Sequence, residues 1–236
     1  MRAKSSVEEI RARFDHDVER FANLETGQTS TMDAALVLDL VSTTAAQATP
    51  SARRVLDIGC GAGNYSIKLA GRLPDIEVNL VDLSQPMLDR AVERVSDATS
   101  GAVRAIQGDI RDLDLGTGQY DIVLAAAVLH HLREDDEWEA VFRSIRRALR
   151  PGGSLWISDL VAHDHLAVDD TMWKRYGSYL SALRDEAYRD HVFAYIAKED
   201  SPRSVLYHVD LLRSVGFNWV EVVHKNGPFA ALGAGI

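Results

Sequence analysis

The sequence has a single cysteine, Cys60, in a chain of 236 residues. One cysteine excludes an internal disulfide and a zinc site built from several cysteines. The chain also lacks an apolar run of the roughly 20 residues that a membrane-spanning helix requires. Its segment MRAKSSVEEI lacks the apolar stretch of a secretory signal. We therefore expect a cytoplasmic protein without membrane contact.

The sequence has fewer basic than acidic residues, with 26 Lys and Arg against 35 Asp and Glu, and its net charge is −9. Proteins that bind nucleic acid without sequence preference need clustered basic residues to neutralise phosphates. Arg143, Arg146, Arg147 and Arg150 do recur on one predicted helix, and we interpret them as its solvated face. The composition therefore disfavours nucleic acid as a partner.

The pattern of predicted elements changes near residue 50. Apolar residues at spacings of three and four, such as Val7, Ile10 and Phe14, predict helices within residues 1–50. Short apolar strands then alternate with amphipathic helices, which is typical of parallel strands joined by right-handed crossovers. The expected strands are 53–59, 77–83, 102–110, 120–129 and 154–161.

A mostly helical insert, 162–200, is rich in Trp and Tyr and interrupts this alternation. Such side chains either form a core or a homodimer contact, or they line a substrate pocket, and the sequence leaves both open. A last helix precedes two apolar runs joined by Asn226-Gly227, which is a hairpin signal. The sequence thus predicts an α/β, Rossmann-like, doubly wound sheet of seven strands, mostly parallel with an antiparallel last strand. We expect one domain, with a helical lead-in or lid at 1–50, a core at 51–161, the insert at 162–200, and a last helix with a hairpin at 201–236.

The most informative segment is VLDIGCGAGNYS, residues 55–66, a glycine-rich turn between a strand and a helix. Such a turn lets a ligand approach the backbone amides of the helix N-terminus. A dinucleotide fingerprint requires a third glycine where Asn64 or Ser66 stands. Asp57, just before the loop, suits a cationic amino group better than a pyrophosphate, because like charges repel in a partly buried pocket.

Two more acids, Asp82 and Asp109, come at the ends of the next two predicted strands. Asp82 is placed to accept hydrogen bonds from the hydroxyls of a ribose, in an adenosyl cofactor or in NAD alike. Asp109, followed by Ile110, suits an exocyclic amine and the face of a purine. The three strand ends therefore offer groups for a charged amino-acid end, a sugar and a base, as in S-adenosylmethionine.

The motifs VLDIGCGAG, VDLS, GDIRDL, YDIVLAAAVLHHL and RPGGSL follow one another over about residues 53–161. In this order and spacing the chain resembles the class I S-adenosylmethionine-dependent methyltransferases. The resemblance implies S-adenosylmethionine as the cofactor and, as we interpret it, methyl transfer to a small-molecule acceptor by in-line displacement. The cofactor site that it implies comprises Asp57 near the amino group, Gly59, Cys60, Gly61 and Gly63 around the methionine part, Asp82 on the ribose, Leu83, Asp109 and Ile110 at the adenine, Ala126 beside the sulfonium, and Met87.

The outer segments, above all SPRSVLYHVDLLRSVGF, are similar in layout to carboxy-S-adenosylmethionine synthase, which supports wobble-uridine modification in tRNA. In that family an arginine binds the extra carboxylate of the cofactor, and Leu211 stands at this position here. Arg203 and Arg213 are the alternative cations. Because a carboxylated cofactor without its cation loses its main recognition, we favour methyl transfer and keep the synthase as the alternative function.

His130 and His131 follow the fourth predicted strand, next to the expected methyl position. An acceptor that carries a proton needs a general base, and histidine is the usual one near neutral pH. Both are therefore predicted catalytic residues, with a structural role at the strand end as the alternative. His163 and His165 form only a weak pattern for a metal site, so the sequence predicts no metal.

Overall fold

The computed structural model describes residues 4–23 and 29–236, so part of the predicted lead-in lies outside the described residues. Within them, seven strands form one sheet in the order β3-β2-β1-β4-β5-β7-β6. The strands are β1 (Arg54–Ile58), β2 (Glu77–Asp82), β3 (Val103–Gln107), β4 (Tyr120–Ala126), β5 (Leu149–Leu160), β6 (Trp219–Asn226) and β7 (Phe229–Gly235).

Strands β1 to β5 pair in parallel, and β7 pairs antiparallel with both β5 and β6. The turn between β6 and β7 contains Gly227 at a φ of +53°, as expected for an Asn-Gly hairpin. The predicted doubly wound sheet with an antiparallel last strand is confirmed. Its carboxyl edge, where β1, β2 and β4 end, lies at the point where the strand order reverses, which is where such sheets bind ligands.

The helices that connect and cover the strands start and stop largely as the sequence predicts. Ser84 caps the fifth helix by accepting from the Met87 amide at 3.3 Å, and Pro86 lies in its first turn. The helices are α1 (Val7–His16), α2 (Val18–Ala22), α3 (Ala34–Ala48), α4 (Asn64–Ala70), α5 (Gln85–Ser96), α6 (Asp135–Ala148), α7 (Leu166–Leu183), α8 (Glu186–Glu199) and α9 (Val205–Ser214).

Strand β3 ends at Gln107, three residues before the expected end, and three further boundaries differ from the prediction. The first helix breaks at Asp17, which ends α1 and precedes α2. Strand β4 ends at Ala126, and a short 3-10 helix, Leu129–His131, follows, because Ala127 turns the backbone to a φ of +53°. Strand β5 begins earlier, at Leu149, which pairs with Tyr120. The early end of β4 is the difference that shapes the site.

Two apolar layers cover the faces of the sheet. Successive strand residues point to opposite faces, so Val55 joins the layer under α3, α4 and α5, whereas Leu56 joins the layer under α6 and α9. In α6 the predicted apolar face is buried, with Trp138 and Phe142 fully enclosed. These layers hold the strand ends in fixed register.

The helical insert forms a smaller apolar cluster beyond the end of β5. Tyr176 and Leu180 from α7 pack with Val192 and Ile196 from α8. Helix α1 is tied to this insert, because Arg13 forms an ion pair with Glu199 at 2.8 Å. The insert and α1 therefore lie together above the carboxyl edge of the sheet. Among the described helices, each is too short or too polar to cross a membrane.

Candidate cofactor and acceptor site

A cavity of about 100 Å³ opens at the carboxyl ends of β1, β2 and β4. Its floor is the loop between β1 and α4, and its cover is formed by Ile10 and Phe14 of α1. The predicted cofactor residues that line it are Asp57, Gly59, Cys60, Gly61, Asp82, Leu83, Met87 and Ala126.

The glycines of the loop take backbone conformations that disfavour other residues. Gly59 and Gly63 have φ values of +63° and +81°. A Cβ on Gly59 would lie 2.5 Å from a methyl carbon of Val128, and one on Gly63 would lie 2.7 Å from Val95. The loop can adopt this conformation only because these positions lack a Cβ. At Gly63 the missing Cβ also lets Val95 of α5 pack closely against the start of α4.

Asp57 is buried and accepts a hydrogen bond from the Ser66 hydroxyl at 2.6 Å. Burial raises the pKa of its carboxyl to about 7; Ser66 opposes this rise and the nearby Asp82 adds to it. A cationic group that enters the cavity would favour the ionised form. Asp57 is thus suited to the role that the resemblance implies, as partner of an amino group.

Asp82 joins the glycine loop to the end of β2. Its two carboxylate oxygens accept from the backbone amides of Gly61 and Ser84, each at 2.9 Å. Burial raises its pKa, and these amides oppose the rise. Each oxygen keeps a second lone pair for a ligand hydroxyl.

Cys60 and Met87 complete the wall of this cavity. The Cys60 thiol is free and buried, and burial raises its pKa well above the usual range. A thiol in that state is unreactive. Met87 is fully buried beneath the loop. Both side chains therefore supply apolar surface and no acid or base.

A neighbouring cavity of about 60 Å³ continues from Asp82 and Leu83 to Asp109 and Ile110. Arg111 binds both carboxylate oxygens of Asp109. Its Nε–H donates to Oδ1 at 2.9 Å, and its Nη2–H donates to Oδ2. Burial alone would raise the pKa of Asp109, but the hydrogen bonds from Arg111 hold it below its usual value. The sequence prediction for Asp109 did not include Arg111, although the motif GDIRDL contains it.

A further cavity, of about 140 Å³, lies on the other side of Ala126. We call it the acceptor cavity, after the role that is proposed for it below. Phe14, Tyr65, Ala126, Ala127 and His131 line both this cavity and the one at the glycine loop. The rest of its wall includes Ala34 at the start of α3, His130, the end of β5, residues of α7 and α8 with the following Asp200, and Phe229. Tyr176 of the insert packs in the apolar cluster and also lines this cavity.

The two predicted catalytic histidines lie in different environments. His130 donates through Nδ1 to Asp159, and its Nε2 lies 3.6 Å from Asp200. Burial by itself lowers the pKa of His130, but the carboxylates of Asp159 and Asp200 outweigh it and raise the pKa to about 9. His131 is neutral, because burial and the adjacent His130 lower its pKa well below the usual value. Its ring reaches both cavities.

The structure adds residues that sequence reasoning missed. Asp159 stands at the end of β5, so the strand-end argument used for Asp82 would have found it. Tyr65 follows the glycine loop directly, and burial raises its pKa to about 12. Asp200 follows α8 and had no local signal, because its position depends on how the insert packs.

Comparison with known proteins agrees with this geometry. Residues 55–153 match a family described as a methyltransferase domain. The chain is 35% identical over 109 residues to 27-O-demethylrifamycin SV methyltransferase of Amycolatopsis mediterranei. The aligned region covers 46% of this chain and 39% of that protein. The chain spans half or less of the length of the curated relatives that it matches.

Solved structures share the fold over a greater length. A DhpI complex described as containing SAM and HEP aligns with a TM-score of 0.64 at 20% identity, covering 97% of this chain and 96% of that one. Human N-acetylserotonin methyltransferase in complex with SAM aligns with a TM-score of 0.63 at 17% identity, covering 98% and 60%.

The fold is that of a doubly wound, Rossmann-like α/β protein with a cavity at the carboxyl edge of its sheet. Over residues 55–153 the sequence matches the methyltransferase domain, which supports the resemblance to the class I S-adenosylmethionine-dependent methyltransferases. S-adenosylmethionine is the cofactor of that family, so the match supports the predicted class of enzyme and the predicted cofactor.

Proposed function

We propose that the protein transfers the methyl group of S-adenosylmethionine to a small-molecule acceptor by in-line displacement. The observation that carries this proposal is that the cofactor and acceptor cavities meet at Ala126 and Ala127. A sulfonium beside Ala126 would direct its methyl group toward the acceptor cavity. Holding the two reactants in line and away from water supplies about 7 to 11 kcal/mol in favourable cases.

The size and lining of the acceptor cavity support a small acceptor. Its volume of about 140 Å³ is close to the roughly 150 Å³ of a cavity that admits benzene. Aromatic rings from Phe14, Tyr176 and Phe229 line it, together with the carboxylates of Asp159 and Asp200. These features favour a compact molecule with an apolar ring and at least one polar group.

The contacts of Arg203 weigh against the alternative of a carboxy-S-adenosylmethionine synthase. Arg203 pairs with Asp135 at 2.7 Å and donates to the Arg133 carbonyl at 2.8 Å. A cation in these contacts is less available to a second carboxylate. Mass spectrometry of the ligand that co-purifies with the chain tests this alternative, because a carboxylated cofactor exceeds S-adenosylmethionine by the mass of one carboxylate group.

The proposal is tested by incubating the chain with S-adenosylmethionine labelled at its methyl group and a panel of small aromatic acids, phenols and amines. We expect label in one acceptor class, detected by mass spectrometry. Ala34→Leu would fill part of the acceptor cavity, which Ala34 lines, and should raise the KM for the acceptor at least about tenfold. The affinity for the cofactor should stay unchanged.

Ala35→Leu is the matched control, since Ala35 is the exposed neighbour of Ala34 on the same helix. Its acceptor KM should equal that of the wild type. Tight cofactor binding without transfer to any acceptor in the panel would instead indicate a module that binds the cofactor without using it. Equal acceptor kinetics in the two leucine variants would refute the assignment of the acceptor cavity.

A homodimer through the insert and a cytoplasmic location stay predictions. Helix α7 exposes Leu166, Val168 and Leu183, which is consistent with a contact surface. Light scattering tests the first: we expect about twice the chain mass of 26.0 kDa. A monomer would contradict it.

A further inference from the structure

Three potential ligand atoms converge on one wall of the acceptor cavity. Asp200 Oδ1 lies 3.6 Å from His130 Nε2 and 3.4 Å from His131 Nδ1. All three residues line that cavity. The histidines belong to the 3-10 helix after β4, whereas Asp200 follows α8, so the cluster forms only when the insert packs on the sheet.

Two of the three residues, His131 and Asp200, have buried atoms without hydrogen-bond partners. Among the described residues, none donates to or accepts from Asp200 Oδ1 or either ring nitrogen of His131. Asp200 is only 5% exposed. Native proteins rarely bury polar atoms without partners. Unpaired atoms that face one another across such a short distance therefore indicate a ligand that binds them together.

Asp159 fixes the orientation of His130. The Nδ1–H of His130 donates to Asp159, and the backbone N–H of His130 donates to the same carboxylate at 3.2 Å. The other ring nitrogen, Nε2, is thereby directed toward Asp200. A carboxylate behind the far nitrogen is the arrangement that positions metal-binding histidines and makes them stronger ligands.

We propose that His130 Nε2, His131 Nδ1 and Asp200 Oδ1 bind one divalent first-row transition metal ion, such as Zn²⁺ or Co²⁺. Two imidazoles and a carboxylate are ligands that these ions favour. With metal–ligand distances of about 2.1 Å, two ligands of a tetrahedral site lie about 3.4 Å apart. The observed separations of 3.4 and 3.6 Å are close to that value.

The consequence of the site rests on the proposed function. An ion bound by three protein atoms keeps a position for a further ligand, and the acceptor cavity adjoins it. An oxygen or nitrogen of the acceptor would bind there, and the ion would lower the pKa of that group and orient it. The chemical class of acceptor is then a small molecule with a metal-binding oxygen or nitrogen, such as a phenol or a hydroxy acid.

The test is a titration of the full chain, purified without a histidine tag and stripped of metal, with Co²⁺. We expect visible ligand-field absorption that saturates at one ion per chain. His131→Ala and Asp200→Asn should each weaken the affinity at least about tenfold, and Asp159→Asn by about 10 to 100-fold. His191→Ala is the matched control, because His191 is an exposed histidine on α8, and it should bind Co²⁺ as the wild type does.

Circular dichroism establishes that each variant is folded, and Asp200→Asn keeps the side-chain volume if His131→Ala is unstable. The inference is overturned if the wild type shows no absorption with Co²⁺, or if Asp200→Asn binds it unchanged. S-adenosylhomocysteine binding by the same preparation separates the two claims. Cofactor binding without metal binding refutes the metal site alone, whereas absence of cofactor binding refutes the proposed function.

Discussion

Cofactor binding should depend on pH through Asp57. Its carboxyl is buried, and its pKa is raised to about 7 in the free protein. If the ammonium group of S-adenosylmethionine lies beside it, binding requires the ionised carboxylate. The affinity should then rise as the pH rises through 7, because a growing fraction of the free protein already has the required charge.

The size of the effect follows from the titration curve. A group with a pKa of about 7 is about 9% ionised at pH 6 and about 91% ionised at pH 8. The affinity should therefore increase about tenfold between these two values. Asp57→Asn removes the titration, so its affinity should be weaker at pH 8 and should change little over this range.

The same shift makes the free protein less stable as the pH rises. The pKa of Asp57 is higher in the folded state than in the unfolded state, so protonation of its carboxyl stabilises the folded state at low pH. That contribution is lost as the pH rises toward 7. A rise from 3.8 to about 7 corresponds to about 4 kcal/mol as an order of magnitude. Asp57→Asn, which still accepts from Ser66, should therefore raise the free energy of unfolding at pH 8.

Both effects are measured on the same pair of proteins. Isothermal titration calorimetry with S-adenosylhomocysteine at pH 6, 7 and 8 gives the affinities, and urea unfolding at pH 5 and 8 gives the stabilities. Equal pH dependence of affinity in the wild type and in Asp57→Asn would refute the reasoning, since titration of the ligand itself is common to both.

Three other predictions concern the glycine loop, the core and the cover of the site. Gly59→Ala places a Cβ 2.5 Å from Val128 and should weaken cofactor binding at least about tenfold in calorimetry; unchanged affinity would contradict it. Trp138→Ala removes a fully buried ring and should lower the free energy of unfolding by about 3 to 5 kcal/mol, whereas Leu206→Ala, at a site 65% exposed, should change it by less than about 0.5 kcal/mol in urea unfolding. Glu199→Gln weakens the ion pair between α8 and α1 and should speed hydrogen exchange in α1; unchanged exchange would contradict the role of that pair.

Local sequence was sufficient to predict the sheet and to bring Asp57, Asp82 and the glycine loop together at its carboxyl edge. Asp57 and Asp82 belong to strands whose apolar pattern identifies them, and the turn after β1 is defined by glycines that take positive φ. Because parallel strands end at one edge, predicting the strands also predicted which side chains meet there.

The acceptor side could not be predicted in this way. Asp200 reaches His131 only because α7 and α8 fold back over the sheet, a contact between segments far apart in sequence. Arg111 is different, because it lies two residues from its partner Asp109 and the sequence motif GDIRDL contains both. Side chains set by long-range packing carry no periodic signal.

The central claim is that the ends of β1 and β2, together with the glycine loop, bind S-adenosylmethionine, with Asp82 on its ribose. Calorimetry of the cofactor with the wild type and with Asp82→Asn tests it most directly, with Asp89→Asn, an exposed acid on α5, as the control. We predict one cofactor bound per chain, an affinity at least about tenfold lower for Asp82→Asn, and no change for Asp89→Asn. Absence of heat with the wild type, or equal affinity in all three proteins, would contradict the account.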